Sequence, residues 1–323
     1  MTHHSTPTFF SFPADALAGA SERSAVVAGL MAGSPWVSPK YLYGPLGSRL
    51  FEAITELPEY YPTRTERALL EACRDSMASA AGPEPTLIDL GAGNCEKARS
   101  LFQSLQPGQY VAVDMSVDFL RHSMSHLQRD FPHLEMLGIG IDFSAGLRLP
   151  DAVRRDNRLF FYPGSSIGNF TPEEARVFLA GIRAHCAGGQ GGLLIGVDLV
   201  KDESILQAAY DDTLGVTAAF NLNLLNNLNA LIGSDFIVGD WRHRALFNTA
   251  LSRIEMHLEA RRDVTATWPG GARRFARGER IHTENSYKYA LQDFKALLAQ
   301  AGFSRVDAWT DADDWFALCH AIA

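Results

Sequence analysis

The sequence predicts an α/β protein: a mixed, mostly parallel sheet flanked by helices, interrupted along the chain by a second α+β unit. Three observations predict it. Short apolar runs alternate with helix-like stretches between residues 62 and 200. The first run, Thr86–Leu90, ends in the glycine turn Gly91-Ala92-Gly93 at the start of a helix, and the next run ends on the acid Asp114. The alternation stops at Lys201-Asp202 and resumes near residue 290 with a helix and a terminal pair of strands. The domains that follow are 62–200 plus 290–323 for the sheet, and 1–61 plus 201–289 for the second unit.

Composition narrows the ligand. At 323 residues and 46% hydrophobic content the chain can fill one large core or two. Lys and Arg total 29 against 37 Asp and Glu, a formal net charge of −8 that argues against sequence-independent binding to nucleic acid or an anionic membrane. A small-molecule substrate fits better. Cys73, Cys95, Cys186 and Cys319 form no CxxC pair and lie near no histidines of zinc-ligand spacing, so they read as reduced thiols and no metal site is expected. The chain opens without a basic segment followed by an apolar core, and no apolar run reaches membrane-spanning length. A cytoplasmic monomer is expected.

Taken in order, residues 1–40 are rich in Ser, Ala, Pro and Gly, with one helix predicted over 21–31. Arg49–Ile54 is amphipathic, with Leu50, Phe51 and Ile54 on one face. Two prolines make Leu57–Glu66 a loop, with Thr63 or Thr65 capping a helix that continues through Leu70. Tyr41, Tyr43, Tyr60 and Tyr61 either pack together or face a ligand, since a buried hydroxyl needs a partner.

Thr86–Asn94, the helix Cys95–Leu105 and the strand Tyr110–Asp114 form a strand, glycine turn, helix and strand. An acid at the end of that second strand accepts hydrogen bonds from ribose hydroxyls in nucleotide-binding folds. The third glycine of GxGxxG, which packs the helix close beside a pyrophosphate, is missing. Asp89–Gly93 therefore points to S-adenosylmethionine rather than NAD. The strand Leu134–Ile141 ends at Asp142-Phe143, where the acid can take an adenine amino group and the ring can flank the base, or both can be an ordinary strand end.

The strand Leu159–Tyr162 leads into Gly164, Ser165, Ser166, Gly168 and Asn169, before Thr171-Pro172-Glu173-Glu174 starts a helix with Pro in its first turn. In an open α/β sheet the loops at the carboxyl ends of strands line the ligand crevice. Small residues let a ligand reach the backbone, and Asn169 offers both donors and an acceptor. A plain strand-to-helix turn explains the segment equally well. Gly192–Val200 closes the series as the mostly apolar run of a covered parallel strand.

Residues 202–232 have helical character despite Asn221, Asn223, Asn226, Asn227 and Asn229, so hydrogen bonds between helices or a ligand must hold those asparagines. Strand patterns follow at 245–248, 252–260 and 281–289, with a turn at Trp268–Gly271. Alternation places Ile254, Met256, Leu258 and Ala260 on one face, and His282, Glu284, Ser286 and Lys288 on one face of the last strand. Such a polar row faces either solvent or a ligand. The terminal strands at 306–309 and 315–321 resemble the usual close of a class I methyltransferase.

Longer motifs carry a family resemblance: Leu57–Glu66 (LPEYYPTRTE), Gly164–Asn169 (GSSIGN), Asp198–Asp202 (DLVKD), Ala209–Asp212 (AYDD), Gly215–Asn221 (GVTAAFN) and Ile254–Met256 (IEM). From Tyr41 to the C-terminus the chain resembles the S-adenosylmethionine-dependent histidine α-N-methyltransferases of ergothioneine biosynthesis, which convert L-histidine to its trimethylated betaine, hercynine. The resemblance implies a class I, Rossmann-like sheet with a discontinuous substrate domain. It implies a cofactor shell of Gly91, Asp114, Asp142 and Phe143 with Lys97 and Tyr43. Asn169 and Tyr210 would hold the substrate carboxylate, Glu284 and Ser286 the imidazole, and Phe51 and Met256 would be walls. Tyr60 would be the phenol nearest the amine, with the Gly164 backbone beside it. Asn94-Cys95 and Tyr287 are bulkier than the family pattern, which bears on pocket shape.

In-line transfer of a methyl from sulfur to an amine needs orientation more than acid or base strength, and orientation can be worth ~7–11 kcal/mol. Tyr60 would orient the amine through water rather than act as a strong base, a phenol titrating near ~10. Other readings stay open: the same N-methylation on another aromatic amino acid such as a tryptophan derivative, against which Glu284 and Ser286 speak; an NAD-dependent oxidoreductase, against which the missing glycine speaks; and a silent cofactor-binding scaffold.

Overall fold

The apolar runs assemble into one eight-stranded sheet in the computed structural model, which describes residues 6–12, 16–143, 146–186 and 191–323. Its order is β1 (Thr8–Ser11), β4 (Glu135–Gly140), β3 (Gln109–Asp114), β2 (Thr86–Leu90), β5 (Arg158–Tyr162), β6 (Gly191–Asp198), β13 (Phe316–Ile322) and β12 (Arg305–Thr310). Neighbours from β1 through β6 are parallel, while β13 runs antiparallel to both β6 and β12. Every residue of β2 and β5 is buried, as strands covered on both faces must be. This is the class I methyltransferase arrangement, with a Rossmann-like sheet closed by an antiparallel hairpin. Strand order reverses between β2 and β5, which makes their carboxyl ends the switch point where such sheets bind ligands.

The covering helices include α4 (Glu96–Leu105), which buries Ala98, Leu101, Phe102 and Leu105, and α6 (Pro172–His185), which buries Ala175, Leu179 and Ile182. The start of α6 is held as expected: Thr171 Oγ1 accepts from Glu174 N–H, and the Glu174 carboxylate accepts from Thr171 N–H.

The chain divides into two compact units. The first contains Thr65–Leu199 and Tyr289–Ala323 together with β1, and the second runs over Ala14–Arg64 and Val200–Lys288. The sequence placed 1–61 entirely in the second unit. Thr8–Ser11 instead adds a parallel edge strand to β4, with the Phe9 ring in the space that a side chain at Gly138 would fill. The helix α3 spans Tyr61–Ala81, so Thr63 and Thr65 lie inside it rather than capping it. Pro62 is tolerated because a first-turn N–H has no helical acceptor.

The second unit contains α1 (Ala16–Met31), α2 (Pro45–Thr55), α7 (Glu203–Tyr210) and α8 (Val216–Ile232). It also holds a three-stranded antiparallel sheet of β7 (Trp241–Asn248), β8 (Arg253–Ala260) and β11 (Arg280–Tyr287), and the hairpin of β9 (Val264–Trp268) and β10 (Gly271–Phe275). The asparagines of α8 bond within the unit: Asn227 Nδ2 donates to Tyr41 O (2.8 Å), and Asn229 bridges Ser234 and Phe236. The expected polar row on β11 is broken. A bulge between His282 and Glu284 pairs His282 with His257 but Glu284 with the adjacent Met256, which puts His282 and Glu284 on opposite faces. Glu284 and Ser286 keep a common face. No helix among the described residues is long and apolar enough to cross a membrane.

Candidate active site

In the first unit the backbone builds the site. Gly91 and Gly93 take positive φ (71° and 53°), and the N–H groups of Gly91 and Ala92 donate to Val113 O, tying the turn to the end of β3. Asp114 sits at that end, its Oδ2 accepting from Gly93 N–H (3.0 Å) and its Oδ1 from Ser116 N–H (2.8 Å). A Cβ at Gly91 would lie 3.8 Å from Phe143 Cζ, so the ring of Phe143 faces bare backbone, with Asp142 preceding it. A half-buried carboxylate with lone pairs to spare and an aromatic ring beside open backbone fit the ribose and base of a nucleoside such as S-adenosylmethionine. Beneath the turn, Asp89 accepts from the Tyr110 hydroxyl (2.9 Å), and burial pushes its carboxyl up to about 7. Burial likewise pushes the Cys95 thiol up to about 12, leaving it a neutral packing group.

The loop after β5 hangs on a residue to which the sequence assigned no role. Glu66, fully buried, accepts from Gly164 N–H through Oε1 (2.6 Å) and from Lys97 Nζ through Oε2 (2.6 Å). Gly164 and Ser165 both have positive φ (81° and 57°), and Ser165 Oγ accepts from Asp198 N–H (2.9 Å). Lys97 thus stands next to Gly164: a Cβ added there would lie 3.2 Å from its ammonium. Asn169 ends the short turn Ser166–Asn169, half-buried.

In the second unit side chains build the site. Tyr43, Phe51, Tyr60 and Tyr210 form an aromatic chain with edge-on contacts of 5.6, 6.2 and 6.1 Å between successive ring centroids, and Phe220 packs against both Tyr43 (5.4 Å) and Phe51 (6.0 Å). The structure therefore groups Tyr43 with the expected substrate residues. At the end of the chain the Tyr210 hydroxyl lies 2.7 Å from Ser286 Oγ, and Lys288 Nζ donates to both oxygens. Glu284, paired across the sheet with the buried Met256, is itself buried, and its Oε2 has no hydrogen-bond partner among the described residues. Burial raises its carboxyl to about 8, against the opposing charge of Lys288.

Tyr210 is fixed from behind. Asn221 Nδ2 donates to His243 Nδ1 (2.9 Å), which leaves the His243 proton on Nε2 to be donated to Tyr210 O (2.8 Å). Burial holds His243 below its ordinary range, in keeping with this neutral tautomer. Glu66, Phe220 and Lys288 went without a role in the sequence. Each lies inside or next to a recognised motif, but only tertiary contact shows what it touches.

The sequence profile of a family described as histidine-specific, SAM-dependent methyltransferases matches residues 22–323. Histidine N-alpha-methyltransferase of Mycolicibacterium smegmatis is 38% identical over 316 residues, covering 96% of this chain and 97% of its own. The protein of the same name from Mycobacterium tuberculosis is 38% identical over 302 residues, covering 92% and 93%. Ergothioneine biosynthesis protein 1 of Neurospora crassa is 31% identical over 284 residues, 85% of this chain and 32% of that longer protein.

Proposed function

This chain belongs to the histidine-specific, S-adenosylmethionine-dependent methyltransferases, and we propose that it transfers three methyl groups in turn to the α-amine of L-histidine, giving hercynine for ergothioneine biosynthesis. The observation that carries this is Glu284. A buried carboxyl oxygen without a partner costs about 1–3 kcal/mol, and a ligand hydrogen bond relieves that cost. With Ser286 on the same face, the pair suits a ring with two polar nitrogens. An indole has one, so a ring nitrogen could serve Glu284 or Ser286 but not both, which favours histidine over a tryptophan derivative.

S-adenosylmethionine, when bound, supplies an electrophilic methyl on a sulfonium. Asp114 would take the ribose hydroxyls, and Asp142 and Phe143 the adenine, with Gly91 leaving the backbone open and Lys97 and Tyr43 completing the shell. We assign the substrate carboxylate to Asn169 and Tyr210, the ring to Glu284 and Ser286, and the apolar walls to Phe51 and Met256. The α-amine is then the one polar group of histidine not tied down. Tyr60 orients it, and its proton leaves through water. The bare backbone of Gly164 makes room for the added methyls.

The test is to incubate the purified protein with S-adenosylmethionine and a mixture of amino acids and read products by mass spectrometry. Histidine gaining one, two and three methyls supports the proposal; another amine modified while histidine stays unchanged overturns it. We further propose that the protein is a monomer and that it works in the cytoplasm, a compartment in keeping with four cysteines that form no disulfide with one another. Light scattering on the eluted protein should return one chain's 35.4 kDa, and twice that mass would refute the monomer.

A further inference from the structure

Glu66 is held in a place where it gains the fold little. Its carboxylate is fully buried within the first unit, with Oε1 accepting from Gly164 N–H and Oε2 from Lys97 Nζ, each at 2.6 Å. A buried ion pair adds little net stability over an apolar pair of similar volume, because two charges must leave water. The interior of β6 also carries a glycine to admit the carboxylate, since a Cβ at Gly196 would collide with Glu66 Oε1. The loop held by Glu66 has two successive residues at positive φ, Gly164 and Ser165, and the second bears a Cβ. Backbone strain of this kind gathers at ligand sites.

The strand order says which part of a ligand lies there. Lys97 is the second residue of α4, just past the glycine turn that ends β2, and Gly164 follows β5. From α3, Glu66 therefore spans the two sides of the switch point. The nucleoside candidates lie to one side of it in the order β4, β3, β2, β5, with Asp142-Phe143 after β4 and Asp114 at the end of β3. A cofactor with its base over β4 and its ribose over β3 continues over β2 and β5 with its methionine tail, which ends in an ammonium and a carboxylate. An ammonium has three donors, Glu66 takes one from Lys97, and the Lys97 side chain is 38% exposed. A lysine alone is a flexible point charge that loses rotamer freedom on binding, and a fixed partner removes that cost beforehand.

We propose that Glu66 is a positioning residue: it holds the Lys97 ammonium beside the Gly164 backbone, where Lys97 receives the carboxylate of the methionine tail of S-adenosylmethionine. The inference rests on the cofactor reading above.

The probes are S-adenosylhomocysteine, which has the whole tail, and 5′-methylthioadenosine, which has the same nucleoside and a thioether but no amino-acid tail. Binding of both is followed by calorimetry. In Glu66→Gln the amide oxygen stays on Gly164 N–H while the amide nitrogen turns a donor toward Lys97, which swings out to water. S-adenosylhomocysteine should bind this variant about ten- to hundredfold more weakly, as for loss of a hydrogen bond between charged groups, with 5′-methylthioadenosine at its wild-type affinity. Lys97→Met should show the same split, and the double variant should bind no more weakly than the weaker single one. Equal loss of both probes would assign Glu66 to the nucleoside pocket, and wild-type affinity for both would leave it a part of the packing; either result overturns the proposal. Where Glu66→Gln does not fold, the wild type supplies the test. Decarboxylated S-adenosylhomocysteine, which keeps the tail's ammonium, should bind about tenfold or more weakly than the parent, and equal affinity overturns the proposal. If neither S-adenosylhomocysteine nor 5′-methylthioadenosine binds the wild type, the cofactor reading itself fails.

Discussion

The two units hold their candidate residues by opposite means. In the sheet unit, backbone groups and strand ends do it: the Gly91 turn is tied to Val113, Asp114 grips the N–H groups of Gly93 and Ser116, and the Gly164 loop hangs on Glu66. In the second unit the contacts run from side chain to side chain, through the aromatic row from Tyr43 to Tyr210 and the cluster of Tyr210, Ser286 and Lys288. A backbone-built site tolerates exchange of its neighbours, because its geometry comes from the sheet. A side-chain-built site is specific but costs stability, since it keeps polar groups buried for a ligand to complete.

The largest test of that contrast is Glu284→Gln. The Glu284 carboxyl titrates at about 8 in the folded protein against an ordinary 4.5. A raised carboxyl contributes stability that is fully present below the ordinary value and lost as pH rises to the folded one. By pH 8.5 wild type carries a buried carboxylate whose cost is at most roughly 3–5 kcal/mol. The amide does not titrate, so thermal unfolding of the ligand-free variant should occur above that of wild type at pH 8.5, with the gap closing toward pH 5. Glu284→Ala should raise the histidine KM about a hundredfold while moving that for S-adenosylmethionine little. A variant less stable than wild type at pH 8.5, or equal effects on both substrates, would mean that this half is built for packing rather than for a ligand.

Next in size is Lys97→Met in the sheet unit. Removing one partner of a buried pair strands the other, and Glu66 is the buried member, at 0% side-chain exposure against 38% for Lys97. Because Lys97 is partly solvated, the loss should sit at the low end, about 3 kcal/mol in a denaturant titration. Lys97→Arg should recover most of it.

These contrasts also mark what the sequence could disclose. The glycine turn, Asp114 and Asp142-Phe143 are legible because positive φ and strand-end acids are local demands on residue type. The pairing of Glu284 with Ser286 is legible from period-two alternation, yet the same alternation misplaces His282, since a bulge inserts one residue with no local signal. The strand Thr8–Ser11 is invisible for a similar reason: four residues on a sheet edge owe their conformation to β4 and to the space over Gly138. Glu66 and Lys288 were in view as members of a motif and of a polar row. Their partners lie 98 residues away at Gly164 and 78 at Tyr210, a separation that no periodicity encodes.

Asn169→Ala is expected to have a smaller effect. Loss of a hydrogen bond to a charged carboxylate is worth about 1.5–3 kcal/mol, so histidine binding should weaken about tenfold or more in a titration. Cofactor binding should hold, because the contacts around Gly91, Asp114 and Phe143 do not involve Asn169. A comparable loss of cofactor affinity would assign Asn169 to the sheet unit's own site instead.

The smallest effect, and the most informative about the reaction, belongs to Gly164→Ala. At φ 81° an alanine pays roughly 1–2 kcal/mol for its Cβ, and that Cβ would lie 3.2 Å from Lys97 Nζ. The ammonium is the far end of a flexible side chain and can give by a few tenths of an ångström, so the fold survives with a modest fall in its unfolding temperature. What the methyl removes is space. If the bare backbone accommodates the growing amine, the first transfer should be nearly normal and the last slow, so that dimethylhistidine accumulates in a time course read by mass spectrometry. Uniform slowing of all three transfers would instead show that the glycine serves only the turn, and that its freedom at positive φ is needed to keep the Gly164 N–H on Glu66.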